Sequence, residues 1–191
     1  MTEKSKERAT PFLEGKIINL CPLNLEHADL YTKWINDPDV RKYSRNTIPW
    51  SIDEVKKWSE PEKERVKKEV VFEIWHRKDE KPIGTAGLGE INWLNRKANL
   101  FTVIGEPDYW GQDIGQEVGK LLVDYGFEEL NFHKIYAGIY TPNKRSLRTA
   151  EKIGFQYEAT LKEEIYVDGE YVDIVKFAIF KRDWLNSKKK D

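Results

Sequence analysis

The chain has 191 residues, of which 39% are hydrophobic, 13% aromatic and 34% charged, and its formal net charge is −1. A charge balance this close to neutral gives no overall attraction to nucleic acid or to anionic lipid. No apolar run approaches the ~20 residues of a membrane-spanning helix. The composition is therefore typical of a soluble globular protein with a single domain.

The amino-terminal stretch and the cysteine content predict the compartment and the kind of site. The stretch MTEKSKERAT lacks the apolar core of a secretory signal peptide, so we expect a cytoplasmic protein. Cys21 is the only cysteine, which excludes an internal disulfide and a cysteine metal cluster. His27, His76 and His133 share no metal-ligand spacing, and no metal site is expected.

The amino-terminal half predicts a strand, two helices and three further strands. The first strand is KIINLCP, and Asn24 can cap a helix that ends before Asp37-Pro38. Ser51 and Glu54 have capping-box spacing, so a second helical region is expected through the fifties and sixties. The stretches EVVFEIWHR, PIGTAGLGEINW and ANLFTVIG predict three strands.

The carboxy-terminal half alternates helices and strands. Apolar side chains at helical spacing predict a helix with one buried face, formed by Ile114, Val118, Leu121, Leu122 and Tyr125. The strand KIYAGIY follows, then a short helix that ends at Gly154, then a hairpin around Asp168-Gly169. Three meandering strands precede the first crossover, which predicts an α/β (α+β) fold with a mixed sheet flanked by helices. Residues 1–11 and 186–191 are polar and are expected to be flexible tails.

The turn GQDIGQ (111–116) allows two interpretations. It joins a strand to a helix, and unpaired N–H groups at a helix N-terminus can hold a pyrophosphate. Asp113 and Gln116 alternatively resemble a capping box, in which case the turn binds nothing. Neither G-x-G-x-x-G nor a P-loop pattern is present, so a dinucleotide or nucleoside triphosphate site is not supported.

Three stretches together resemble the GNAT acyl-CoA-dependent N-acetyltransferases: YWGQDIGQEVGKLLVDYGF, KIYAGIYTPNKRSLRTAEKIGF and EEIYVDGEYVDIVKFAIFKRDW. With VRKYSRNTIPWSIDEVKKWSE, they are most similar to the branch of ribosomal-protein N-terminal acetyltransferases, which also contains polyamine and antibiotic acetyltransferases. The resemblance implies a single acetyltransferase domain over residues 12–185. Its sheet is expected to be mostly antiparallel and splayed between the fourth and fifth strands.

The resemblance also implies the residues that bind acetyl-CoA, the expected cosubstrate. The acyl-CoA signature corresponds to Gln112, Asp113, Ile114, Gly115, Gln116 and Glu117, whose backbone amides would hold the pyrophosphate. Pantetheine would pair with the strand that ends Val103-Ile104, where an N–H near Ile104 would polarise the thioester carbonyl. Asn143 and Ser146 match the N-x-x-S pattern that lies beside the pantetheine and its sulfur.

The chain departs from the family pattern at two places. Many members have a basic residue and then glycine where this chain has Gln112-Asp113, and Gly or Ala where it has Glu117. A carboxylate at position 113 would repel a pyrophosphate unless it points into solvent. Ala150 stands where many members have a tyrosine that protonates the CoA thiolate, and Ser146 is the expected substitute.

The implied reaction is acetyl transfer to a primary amine by direct attack through a tetrahedral intermediate. Glu163 and Glu90 are the candidate bases, with Ser146 as the candidate acid. The expected acceptor is a protein N-terminal α-amine, which is partly neutral at pH 7, so a weak general base is sufficient to deprotonate it. Members of this branch are often dimers, so a homodimer is the assembly to test.

Three further functions stay open. The first is a polyamine or aminoglycoside acetyltransferase, whose acceptor pocket should carry carboxylates. Acidic side chains are expected on the acceptor side at Glu26, Asp29, Asp37 and Asp39, and Tyr43 and Trp50 are candidates for the pocket wall. The second is a non-catalytic acyl-CoA-binding domain, and the third is an α/β domain that binds no cofactor. No nucleic acid or membrane partner is expected.

Overall fold

The computed structural model describes residues 9–44, 46–60 and 66–189. The strands in this part of the chain are β1 (Leu13–Glu14), β2 (Ile18–Pro22), β3 (Val70–His76), β4 (Lys81–Asn92), β5 (Lys97–Ile104), β6 (Lys134–Tyr140), β7 (Gln156–Val167) and β8 (Glu170–Phe180). The helices are α1 (Ala28–Asn36), α2 (Pro38–Arg41), α3 (Ile52–Ser59), α4 (Ile114–Glu128), α5 (Lys144–Ile153) and α6 (Lys181–Lys188). Leu25–His27 and Pro107–Tyr109 form short 3₁₀ turns.

One mixed sheet organises the fold, with strand order β1-β2-β3-β4-β5-β6-β8-β7. Each neighbouring pair is antiparallel except β5 and β6, which are parallel. The parallel pair is joined by α4, because a parallel connection must cross from one end of the sheet to the other. The predicted fold class, a mixed and mostly antiparallel sheet flanked by helices, is confirmed.

Two separate groups of apolar side chains cover the two faces of the sheet. The larger core includes Ile114, Val118 and Leu122 of α4. On the opposite face, Tyr31 and Trp34 of α1 pack with Val55 of α3. Side chains alternate along each strand, and β3 is buried on both faces from Phe72 to His76.

Several element boundaries differ from the sequence prediction. The short strand β1 was not predicted, so the splay expected after the fourth strand lies between β5 and β6. The helices α2 and α6 were also not predicted, and the expected domain end at residue 185 falls inside α6. The second helical region ends at Ser59, and residues 61–65, into which it was predicted to continue, lie outside the described residues. Of the predicted tails, residues 1–8 and 190–191 also lie outside them.

The α1 helix is held against the end of β5 by one close contact. The Trp34 ring lies against Gly105, where an added Cβ would stand 2.2 Å from two ring carbons. The Trp34 indole N–H donates to Glu106 Oε1 at 2.8 Å, and Lys33 Nζ donates to the same oxygen at 2.9 Å. Only a residue without a side chain allows this approach, so Gly105 determines where α1 can sit. Within the described residues, no helix is long and apolar enough to cross a membrane.

We predict that Gly105→Ala destabilises the protein by about 2 kcal/mol, because overpacking of a filled site typically costs ~1–3 kcal/mol. The Trp34 side chain is 2% exposed and has no room to retreat. Chemical denaturation without ligand measures the change. The matched control is Gly115→Ala, where the new Cβ would meet the Thr149 methyl group at an ordinary 3.7 Å. Equal stability of the two variants would contradict the proposed role of Gly105.

Candidate active site

The sheet opens between its two parallel strands. Pairing between β5 and β6 covers Lys97–Asn99 and Lys134–Tyr136 and stops there. Beyond that point the strands separate around a cleft of about 1030 Å³, which is lined by Leu100–Ile104 on one side and Ala137–Tyr140 on the other. The predicted splay is therefore present, and it forms the wall of this cleft.

The open edge of β5 presents backbone groups to this cleft. Gly105 N–H donates to the carbonyl of Ile83 in the ladder with β4. In an antiparallel ladder the hydrogen-bonded pairs alternate, so Val103 also directs its N–H and C=O towards β4. The backbone groups of Thr102 and Ile104 consequently point towards β6, into the opening. The Ile104 carbonyl accepts the Trp110 indole N–H at 2.9 Å, whereas its N–H lies on the cleft side.

The N-terminus of α4 forms one end of the cleft. Asp113 adopts a left-handed backbone conformation (φ 56°), and its carbonyl accepts the N–H groups of Gln116 and Glu117. These two bonds leave the N–H groups of Ile114 and Gly115 without an acceptor in the described part of the chain. Both residues line the cleft, and unpaired N–H groups at a helix N-terminus suit an anionic ligand.

The capping box suggested for Asp113 and Gln116 is wrong. The Asp113 side chain makes no capping hydrogen bond. The left-handed backbone turns it away from α4 and towards α5, where Lys152 Nζ donates to its Oδ1 at 3.1 Å. Because Lys152 compensates its charge, Asp113 does not present an uncompensated carboxylate to the cleft. The repulsion expected at this departure from the family pattern is thereby reduced.

Two residues of the predicted signature do not line the cleft. The Gln112 side chain is exposed and donates to the Asp108 carbonyl at 2.8 Å. Glu117 reaches the turn between β1 and β2, where its carboxylate accepts the Lys16 N–H and, at 3.0 Å, the Ile17 N–H. The structure thus gives Glu117 a contact that joins α4 to the amino-terminal strands.

Positive charge gathers at the α4 end of the cleft. Arg145 and Arg148 of α5 both line it, beside Lys152, whose charge is shared with Asp113. The Arg145 guanidinium lies 4.6 Å from the centre of the Trp110 ring, which holds it beside the helix N-terminus. This arrangement favours a ligand that carries several negative charges.

The start of α5 brings together Asn143, Ser146 and Ala150, which all line the cleft. Asn143 caps the helix, since its Oδ1 accepts the Ser146 N–H at 3.1 Å. The Ser146 hydroxyl has no hydrogen-bond partner among the described residues. Ala150 is 5% exposed, so the position where many GNAT enzymes carry a tyrosine holds only a methyl group here.

The cleft also carries carboxylates and tyrosines. Its lining includes Asp39, Glu69, Glu90, Tyr43 and Tyr140. The rings of Tyr43 and Tyr140 meet edge to face, with centroids 6.2 Å apart.

Lys42, which follows α2, also lines the cleft. Its charge is compensated, because Lys42 Nζ lies 2.7 Å from Asp168 Oδ2. Of the four acidic residues expected on the acceptor side, only Asp39 lines the cleft. Trp50 packs instead with the α1–α3 cluster.

The two candidate bases lie in different places. Glu90 lines the cleft, and its Oε2 accepts the Tyr136 hydroxyl at 2.8 Å. Glu163 lies outside the lining, on an irregular part of β7, where its N–H donates to Asp173 Oδ1. The structure therefore brings Glu90 to the same cleft as Ser146 and Ile104, and it does not bring Glu163 there.

Sequence reasoning missed three residues of the site. Glu69 follows a charged run and carried no motif, yet it lines the cleft and its Oε1 accepts the Trp58 indole N–H at 3.2 Å. Tyr136 is 46 positions from its partner Glu90. Thr102 lines the cleft, and its Oγ1 is buried without a hydrogen-bond partner among the described residues. Strand alternation could have placed Thr102 at the open edge, but no local pattern indicates Glu69 or Tyr136.

The cleft matches the acetyl-CoA expected from the family resemblance. A pyrophosphate suits the α4 N-terminus with its arginines and lysine. The amides of pantetheine suit the open edge of β5, and the orphaned Thr102 hydroxyl offers one further polar group along that path. The residues present thus fit the cosubstrate.

Comparison with known proteins agrees with this geometry. A family model described as an acetyltransferase (GNAT) domain matches residues 18–156. The spermidine N(1)-acetyltransferase of Escherichia coli K12 is 32% identical over 111 residues, which cover 58% of this chain and 59% of that protein. YdaF of Bacillus subtilis, provisionally named a ribosomal N-acetyltransferase, is 30% identical over 55% of this chain and 57% of its own.

A solved structure extends the similarity to most of the chain. Spermidine N-acetyltransferase from Vibrio cholerae, in complex with CoA and spermine, has a TM-score of 0.82 at 25% identity and covers 90% of this chain and 100% of its own. The family model covers more than half of the chain, from β2 to the start of β7. The match to the spermidine N(1)-acetyltransferase of Escherichia coli spans about three fifths of that protein's length. The chain therefore belongs to the GNAT acetyltransferase family.

Proposed function

We propose that this enzyme acetylates a primary amine of a small polycation, with a polyamine such as spermidine as the acceptor to test first. The observation that carries the proposal is a set of three carboxylates in the cleft. Asp39, Glu69 and Glu90 all line it. The bulge at Glu90 lies opposite Ala98, at the other end of β5 from Ile104. A polyamine carries several ammonium groups, so more than one of these carboxylates can pair with it. A protein N-terminus carries a single ammonium group.

The similar proteins support this acceptor over the one expected from the sequence. Spermidine acetyltransferases stand among the relatives in both sequence and structure. The ribosomal-protein acceptor, which was the main expectation, has a relative that matches over a similar share of the chain. The carboxylates of the cleft favour the polyamine between the two, and the peptide becomes the comparison substrate.

Acetyl-CoA supplies the thioester. In the reaction an N–C bond forms and the C–S bond breaks. The substrate ammonium loses two protons as it becomes an amide, one to solvent and one to the CoA sulfur. An alkyl ammonium with a pKa near 10 is almost fully protonated at neutral pH. A polyamine therefore depends on a proton acceptor within the cleft to a greater extent than an α-amine, which is partly neutral at this pH. Glu90 is the carboxylate placed to serve, and the proposal does not retain Glu163.

Two further groups act on the acetyl carbon and its leaving group. The Ile104 N–H, directed into the opening, would donate to the carbonyl oxygen, a contact worth roughly 3 kcal/mol in well-measured enzymes. The Ser146 hydroxyl would supply the proton that the sulfur receives, because Ala150 cannot. Asn143 would hold the turn that presents Ser146.

We predict that spermidine is acetylated with a kcat/KM at least tenfold above that of a peptide with a free N-terminus, by an assay of released CoA thiol. Glu69→Gln should raise the KM for spermidine about fivefold, because one unit of opposite charge near 4 Å contributes ~1 kcal/mol in a solvated site. The KM for acetyl-CoA should stay unchanged. Glu164→Gln, on exposed β7, is the matched control.

Each contrary result selects a different acceptor. A peptide that outperforms spermidine would assign the enzyme to protein α-amines, and activity confined to an aminoglycoside would assign it to that class. Tight acetyl-CoA binding without turnover of any amine would indicate a non-catalytic binding domain.

We predict that Thr102→Val weakens acetyl-CoA binding about fivefold in isothermal titration, while it leaves the unliganded protein equally stable or more stable. Valine has the same shape and removes a hydroxyl that is buried without a partner among the described residues, so the free protein loses no hydrogen bond. Thr160→Val, on β7 outside the cleft, is the control for the substitution itself; Thr160 is half-buried and its hydroxyl contacts the Tyr157 hydroxyl, at 3.2 Å. Unchanged acetyl-CoA affinity would show that the Thr102 hydroxyl does not contact the cosubstrate.

We predict that Ser146→Ala lowers kcat about tenfold or more at a nearly constant KM for acetyl-CoA, since a general acid contributes ~10²–10⁴-fold and water can replace part of this. Steady-state kinetics with saturating amine measures both constants. A loss confined to KM would make Ser146 a binding residue only.

A further inference from the structure

We propose that Tyr136 is a positioning residue that holds the Glu90 carboxylate in place as the proton acceptor for the substrate ammonium. This inference rests on the proposed function, because it needs an ammonium in the cleft. It adds a residue that no motif indicates and assigns a role to an unusual stretch of β4.

The contact crosses the strand that borders the opening. Glu90 is on β4 and Tyr136 on β6, with β5 between them. The Tyr136 hydroxyl donates to Glu90 Oε2 at 2.8 Å. Tyr136 pairs with Asn99, the last β5 residue paired with β6 before the strands separate. The hydroxyl thus holds the carboxylate where the cleft begins.

The backbone of β4 is distorted at this point. Gly89 pairs with Asn99 and Asn92 with Lys97, so Glu90 and Ile91 together oppose Ala98 alone. This is a β-bulge, which redirects a side chain at the cost of one unpaired residue. Glu90 itself has a φ of 50°, a left-handed conformation that glutamate rarely adopts. Strained backbone of this kind persists where the surrounding structure requires it and is concentrated at functional sites.

Burial and the Glu90 carboxylate keep the Tyr136 hydroxyl a hydrogen-bond donor. Burial and then the hydrogen bond to Glu90 raise the pKa of Tyr136 to about 12, so its hydroxyl stays protonated at neutral pH. Lys97 of β5 and Lys176 of β8 each place Nζ 5.9 Å from the centre of its ring. With Oε2 accepting from Tyr136, the second oxygen of Glu90 has no hydrogen-bond partner among the described residues, and Glu90 itself lines the cleft. One oxygen is held and the second can accept a proton.

A purely structural tie between β4 and β6 is the competing explanation. It predicts that loss of the Tyr136 hydroxyl lowers stability, and that any effect on the reaction rate is the same whether or not Glu90 is present. A positioning role predicts that the loss lowers the reaction rate only while Glu90 is present. The effect of Tyr136→Phe must then depend on whether Glu90 is present, which a double-mutant cycle measures.

The experiment compares wild type, Tyr136→Phe, Glu90→Gln and the double variant with spermidine and acetyl-CoA. At about pH 7, kcat/KM for spermidine should fall about tenfold in Tyr136→Phe, since a hydrogen bond to a charged group is of that size. It should fall about a hundredfold or more in Glu90→Gln, the size of a general-base contribution. The double variant should be no more than about twofold below Glu90→Gln. The KM for acetyl-CoA should stay within about twofold throughout.

A pH profile gives a readout that a structural role would not change. Without a carboxylate the amine must lose its proton to solvent, so the deficit of Glu90→Gln should shrink as the pH rises towards the amine pKa near 10. The deficit of Tyr136→Phe should shrink in the same direction. Tyr166→Phe is the matched control, since it removes the same atom from an exposed ring outside the cleft.

The outcomes separate the two proposals. An active wild type with an unimpaired Tyr136→Phe, or with independent and multiplicative losses in the double variant, would overturn the inference alone. A Tyr136→Phe variant with a lower melting temperature but normal kinetics would also overturn it. Glu90→Asp tests the same point without touching the tyrosine: it keeps the charge but withdraws it by one methylene, and should lose activity as well. Failure of wild type to acetylate any amine would refute the proposed function first.

Discussion

The separation of β5 from β6 is the constraint on which the rest of the site depends. A parallel sheet that stays paired satisfies its own backbone groups, and buried groups without partners are costly. Here each strand is secured from its outer side, β5 by β4 and β6 by β8, and the two are paired for only three residues. The unpaired edge of β5 is therefore a rigid half of a ladder, and a strand-like ligand can complete it.

The same opening exposes two chemically different sets of groups. The N–H groups and basic side chains come from α4 and α5, within one continuous stretch of the chain. The carboxylates come from separate places, Asp39 in α2, Glu69 before β3 and Glu90 at the bulge of β4. Trp34 against Gly105 connects α1 to the end of β5. Specificity for the amine can therefore vary without change at the phosphate end.

The sequence was most informative where the signal was periodic or local. The helix face from Ile114 to Tyr125, the capping box at Ser51 and the Asp168-Gly169 hairpin all occur as predicted. Of the three elements that were missed, β1 has two residues and α2 has four, which leave no period to detect.

The remaining errors involve contacts between residues distant in sequence. Asp113 looked like a cap because spacing says nothing of its left-handed backbone or of Lys152, 39 positions away. Glu117 contacts the turn at Lys16 and Ile17, about a hundred positions earlier. No local sequence pattern indicates that Tyr136 holds the Glu90 carboxylate. Nor does one indicate that Glu163, the second candidate base, lies outside the cleft and contacts Asp173.

The ion pair between Lys42 and Asp168 has a consequence for the way the two substrates gain access. It joins the segment after α2 to the tip of the last hairpin, and both side chains are exposed, 42% and 67%. An exposed pair of this kind contributes little to stability and weakens with salt. The segment after α2, which lines the cleft at Lys42 and Tyr43, is thus tied to the hairpin by a weak contact that can break and reform within the ns–μs range of loop motion. The N–H groups that face the cosubstrate belong instead to α4, whose Ile114 and Val118 are buried in the larger core, so the α2 side is the wall of the cleft that moves more readily.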